Sequence, residues 1–75
     1  MLIDDEPDLL DLARHFLELD RDISVDTAIS ADSAARMIES REYDVIVSDY
    51  QMPGKDGIQF LMEMRAKDNS IPFIL

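Results

Sequence analysis

The chain has 75 residues and a formal net charge of −10, with 17 acids against 7 bases, so it is one domain or part of one. That charge disfavours nonspecific nucleic-acid binding, which needs clustered cations to neutralise phosphates. There is no cysteine to supply a disulfide or a thiolate metal site, and a chain this short buries only about 60–65% of its unfolded surface.

No apolar run approaches the ~20 residues of a membrane span. The acids near the N-terminus do not suit a secretory signal. The absence of cysteine fits a reducing compartment, and the expected location is cytoplasmic.

Met1–Ile3 is a short apolar run that predicts a strand ending on Asp4 and Asp5. Asp5–Glu6–Pro7 marks a helix start, because proline is tolerated at the first helical position and acids suit the positive helix end. Asp5 is the candidate cap. From Asp8 to Leu19, the residues Leu9, Leu12, Ala13, Phe16 and Leu17 recur at helical spacing. Ile23, Val25, Thr27 and Ile29 alternate with Ser24, Asp26 and Ala28, which predicts a strand with one wetter face near a sheet edge.

Ser30 is placed to cap a second helix from Ala31 to Arg41, with Ala34, Ala35 and Ile38 on one side. Tyr43–Asp44 interrupts it. Val45–Ser48 is β-branched and lacks alternation, which predicts a strand covered on both faces. Gln51–Gly57 reads as a loop and Ile58–Ala66 as a third helix with a broad apolar arc. Asn69–Ser70 is a break, and Ile71–Leu75 predicts a fourth strand.

This βαβαβαβ order implies a parallel sheet with right-handed crossovers. In such sheets ligands bind beyond the strand C-termini. Asp4, Asp5 and Asp49 all fall at strand C-termini. If the first and third strands are neighbours, about 4.8 Å apart, the three carboxylates can share one ion. Three carboxylates so close repel one another, and a hard divalent cation relieves that cost. Magnesium takes oxygen ligands and needs few carboxylates. It also screens an incoming phosphoryl group. A carboxylate can act as nucleophile towards phosphorus, and Asp49, alone at its strand end, is better exposed for attack than the Asp4–Asp5 pair. Singly, each acid has a plainer role: Asp5 a cap, Asp4 a solvated strand end, Asp49 the opening of a turn. Their coincidence at one rim favours a site.

"LIDDEP" followed by "DVIVSDYQMPGKDG" resembles the receiver domain of two-component response regulators. The resemblance covers nearly the whole chain. It implies an α/β, three-layer flavodoxin-like parallel sheet of strand order 2-1-3-4, with residues 1–75 as a single partial receiver domain. It further implies Asp49 as phosphoacceptor and a Mg2+ ion held by Asp4, Asp5, Asp49 and the backbone carbonyl of Gln51. The Gln51 side chain falls where the family tunes phosphate lifetime, Met52 and Pro53 shape the loop, and Gly57 admits the close turn into the third helix. The implied partner is a sensor histidine kinase. The domain would take part in its own phosphoryl transfer without being a turnover enzyme.

The family's hydroxyl residue after the fourth strand and lysine after the fifth have no counterpart up to Leu75, so the expectation is a truncated receiver. Metal binding with weak or no phosphorylation is expected of the chain by itself. An apolar fourth strand left at a sheet edge is expected to self-associate through Ile71–Leu75. Two other classes compete. One is a degenerate receiver that only docks or dimerises, against which the three intact acids argue. The other is an aspartyl-phosphate phosphatase, which needs a second acid where Gln51 stands.

Among the remaining residues, His15 reads as an ordinary helix residue. Met37, Met52, Met62 and Met64 read as core filler. Phe60 and Met64 lean towards the core, with a partner surface as the alternative. Lys55 reads as a solvated loop lysine, and Tyr50 as packing at the rim of the site.

Overall fold

In the computed structural model, which describes residues 1–75, the elements follow as β1 (Leu2–Ile3), α1 (Pro7–Leu17), β2 (Thr27–Ala28), α2 (Ala31–Ser40), β3 (Ile46–Ser48), α3 (Gly57–Ala66) and β4 (Phe73–Ile74). All strand pairings are parallel and the sheet order is β2-β1-β3-β4. The doubly wound parallel sheet expected from the alternating elements is therefore present, with each strand shorter than its apolar run suggests.

Side-chain alternation along the strands divides the sheet into two unequal faces. Ile3, Ala28 and Ile46 point to one side and join Ala31, Ala34, Phe60 and Met64 from α2 and α3 in a single buried cluster. Ile46 is fully buried and Ile3 is 2% exposed. Burial of a side chain of this kind contributes about 1.5–3 kcal/mol. Phe73 of β4 is half-buried and meets Phe60 edge-on, with ring centroids 6.0 Å apart.

The opposite face carries Leu2 and Val47 and is attended by α1 alone. Leu9, Leu12, Ala13 and Phe16 line an apolar cleft with them, about 450 Å³ in volume. Val47 remains 37% exposed and Phe16 61%. The expectation that β3 is covered on both faces therefore fails on the α1 side.

Two further readings are corrected by the packing. In the second strand the buried residues are Val25 and Ala28, while Ile23 and Ile29 are exposed. The inward phase changes because pairing begins only at Thr27, and Ala28 rather than Ile29 faces α2. Met62 is exposed, unlike Met52 and Met64, because it points away from the sheet on the outer side of α3.

The helix ends follow local chemistry. Ser30 caps α2, its hydroxyl accepting from Ser33 N at 3.1 Å. Asp56 caps α3 through a reciprocal box: Gln59 N donates to Asp56 Oδ1 at 2.8 Å, and Asp56 N donates to Gln59 Oε1 at 3.1 Å. Pro7 opens α1, but the cap position is Glu6 and makes no side-chain cap bond, so Asp5 is not a helix cap.

A polar tie holds the sheet's other rim. Asp26 accepts from the Tyr43 hydroxyl at 2.6 Å and from the Arg41 guanidinium at 3.0 Å. This pins the lead-in to β2 against the turn before β3. The Tyr43 hydroxyl, with help from Arg41, holds the Asp26 carboxyl below the usual carboxylate range.

Candidate metal centre

The site is a consequence of strand register. Ile3 of β1 pairs with Ser48 of β3. Asp4 and Asp49 are the next residues on these adjacent parallel strands, at the same level of the sheet. Asp49 N donates to the Ile3 carbonyl at 2.8 Å, and Asp4 N donates to the Ala28 carbonyl at 3.1 Å. Both backbones are thus fixed by the ladder as the strands end. Asp5 follows at the turn into α1. One carboxylate oxygen from each of Asp4, Asp5 and Asp49 lies within 4.8 Å of the others. Asp4 and Asp49 are half-buried and Asp5 is exposed.

The turn after β1 uses Asp4 a second time. Its Oδ1 accepts from Glu6 N at 2.9 Å, which commits one oxygen to the turn and orients the carboxylate. Asp4 is therefore more than a solvated strand end. Gln51 is exposed at the start of the loop after β3. Of the four residues expected at the metal, the geometry brings together the three carboxylates.

The electrostatics at this rim are one-sided. The ion pairs of the chain join Arg14 to Glu18, Arg41 to Asp26, and Lys55 to both Asp32 and Glu63. None touches the three aspartates. Two like charges at this separation cost about 1 kcal/mol in bulk water and a few times that in a partly buried setting. Three acidic oxygens with no basic side chain beside them are a donor set that fits a hard, oxygen-seeking divalent cation.

Gly57 lets the chain after the loop pack closely against the end of β3. A Cβ at this position would lie 2.5 Å from the Asp49 carbonyl oxygen, 2.7 Å from Leu75 Cδ2 and 3.1 Å from Ser48 Oγ. Gly57 N donates to the Tyr50 carbonyl at 3.2 Å, so the chain folds back directly onto the end of β3. Gly54 has φ +81°, the left-handed conformation that glycine adopts without steric cost. Tyr50 contributes this carbonyl while its side chain is 54% exposed, so it does not pack as expected.

Sequence reasoning missed two features of the loop. The Asp56–Gln59 box was legible as an acid followed three residues later by glutamine. The Lys55 contacts were not, since Asp32 lies on another helix and no local spacing marks it. Lys55 is half-buried and paired rather than solvated.

Comparison with known proteins places this geometry. The sequence model of the response regulator receiver domain matches residues 1–75. The chain is 36% identical over 76 residues to response regulator Rre1 of Synechocystis, covering 99% of the chain and 33% of Rre1. It is 35% identical to protein-glutamate methylesterase/protein-glutamine glutaminase 2 of Rhizobium johnstonii, covering 100% of the chain and 20% of that protein. Among solved structures it overlays on the receiver domain of Francisella response regulator 1452 with a TM-score of 0.89 at 29% identity, covering 96% of the chain and 59% of that structure. It overlays on TrrA of Thermotoga maritima, in complex with Mg(2+)-BeF, with a TM-score of 0.88 at 31% identity, covering 99% of the chain and 64% of TrrA. The chain belongs to the response regulator receiver domain family, a signalling module of two-component systems. It spans about a third or less of the length of these curated relatives.

Proposed function

We propose that the chain is a phosphoacceptor module, taking a phosphoryl group on Asp49 from a sensor histidine kinase with Mg2+ bound beside it. The observation that carries this reading is the convergence of the Asp4, Asp5 and Asp49 carboxylates within 4.8 Å at the C-terminal rim of the sheet. Asp4, Asp5, Asp49 and the Gln51 carbonyl would hold the ion. When bound, it neutralises charge on the phosphoryl oxygens, the main requirement of this transfer.

The residues of the chain do the rest. A carboxylate oxygen of Asp49 forms the new O–P bond as the N–P bond of the donor phosphohistidine breaks, and the imidazole leaves with its electron pair. The Ile3 carbonyl holds the Asp49 backbone in place through this step. Asp49 lies at the strand's end and is half-buried; Asp5, not Asp49, is the most exposed of the three acids, and the rim position of Asp49 is what supports its meeting a donor there. The added charge then biases a conformational equilibrium, which is the output of such a module. The activity of any longer protein that carries it, and a cytoplasmic location, belong to the same proposal. The methylesterase among its relatives has its activity in a protein of which this chain covers one fifth.

Incubation with Mg2+ and a small acyl phosphate donor, in the longest natural chain that contains these residues, tests the reading. One phosphoryl group per chain, labile to hydroxylamine and lost in Asp49→Asn, is expected. Phosphorylation that persists in Asp49→Asn overturns it. A degenerate docking module is disfavoured by the intact carboxylate cluster.

A further inference from the structure

The loop from Gln51 to Lys55 is held in an unusual way. None of its backbone groups makes a hydrogen bond within the chain. Its flanks are fixed: Gly57 N reaches the Tyr50 carbonyl on one side, and the Asp56–Gln59 box closes the other. Between them only two side chains tether the segment. Met52 is buried against the core at 8% exposure. Lys55 Nζ reaches Glu63 Oε2 at 2.5 Å and Asp32 Oδ1 at 3.8 Å. Lys55 therefore ties the loop to α3 and to the first turn of α2 at once. Glycine at 54, next to it, leaves the backbone free to swing if that tie is cut.

We infer that Lys55 is a positioning residue for the metal centre: by pairing with Glu63 and Asp32 it holds the loop that would carry the Gln51 carbonyl to an ion bound by Asp4, Asp5 and Asp49. The inference rests on the magnesium reading above and adds a residue to it that does not touch the ion. Lys55 makes no ion pair with the three aspartates, so its effect passes through the loop and not through direct contact. Two physical effects of removing the lysine have opposite signs. Deleting a cation near an anionic site strengthens cation binding through long-range attraction. Releasing the loop weakens it.

The test uses that opposition. Mg2+ is titrated calorimetrically into the wild-type chain, Lys55→Met and Lys55→Arg. Melting without metal checks folding, and Lys55→Gln serves if the methionine variant does not fold. The proposal expects Lys55→Met to bind Mg2+ about threefold more weakly, the scale of a partly exposed ion pair, and Lys55→Arg to recover wild-type affinity. In the metal-free state, the 15N heteronuclear NOE of Gln51 and Met52 is expected to fall in Lys55→Met. Equal or tighter binding by Lys55→Met, or an unchanged NOE, overturns the role of Lys55 and leaves the metal reading standing. Absence of saturable binding by the wild type overturns both.

Discussion

The amide of Asp49 donates to the carbonyl of Ile3 at 2.8 Å, the last rung of the β1–β3 ladder. This bond sets the level of Asp49 against Asp4 on the neighbouring strand. A slip of one residue in either strand would turn its side chains to the opposite face and take the carboxylate away from its partner. The site is thus specified by the same pairing that buries Ile3 and Ile46.

Gly57→Ala is expected to destabilise the fold. The added methyl group would meet the Asp49 backbone oxygen at 2.5 Å, and that oxygen sits at the end of a paired strand and cannot move aside as a side chain could. Overpacking of this kind costs about 1–3 kcal/mol. Urea denaturation should show a lowered midpoint, and weakened metal binding should accompany it. A wild-type midpoint would contradict the close approach.

Ile46→Ala is expected to unfold much of the population at room temperature, whereas Phe16→Ala should be nearly neutral. Removing a fully buried isoleucine costs about 2–5 kcal/mol, a large part of the stability of a chain with only 13 buried residues. Phe16 lies 61% exposed in the α1 cleft. Circular dichroism melts distinguish the two, and equal destabilisation would contradict the asymmetry of the sheet faces.

The tie at the opposite rim predicts a pH dependence. Asp26 has its carboxyl held below its unfolded value, first by the Tyr43 hydroxyl and then by Arg41. Its contribution is present above the unfolded pKa and is lost as pH falls through the lower folded pKa, because the unfolded chain takes the proton first. Tyr43→Phe should lower stability at neutral pH by about 1 kcal/mol, the discounted value of a hydrogen bond to a charged group. The difference from wild type should shrink in acid below the ordinary carboxylate range. A difference that grows in acid would contradict the assignment.

Much of this was legible from residue patterns. The alternation of elements and the aspartates at Asp4 and Asp49 pointed to one rim of a parallel sheet because strand direction alone places those ends together. Gly57 carried its meaning in the motif around it. The inward phase of the second strand was not legible, since Val25 and Ala28 are not on one alternating series and only pairing with Leu2 and Ile3 decides which residues face α2. The openness of Val47 depends on how much cover α1 gives, a tertiary property. The Lys55 contacts join a loop to two helices and leave no local trace. The Asp56–Gln59 box is a local pattern, but a helix read from Ile58 by its apolar arc begins one residue too late to show it, since α3 begins at Gly57.

The central claim is that Asp4, Asp5 and Asp49 grip one divalent ion. A Mg2+ titration followed by 1H–15N NMR tests it most directly. The account predicts saturable, single-site shifts centred on the amides of Asp4, Asp5, Asp49 and Gln51, abolished by Asp5→Asn together with Asp49→Asn. Shifts that never saturate, or that spread evenly over the acids of the whole surface, would contradict it.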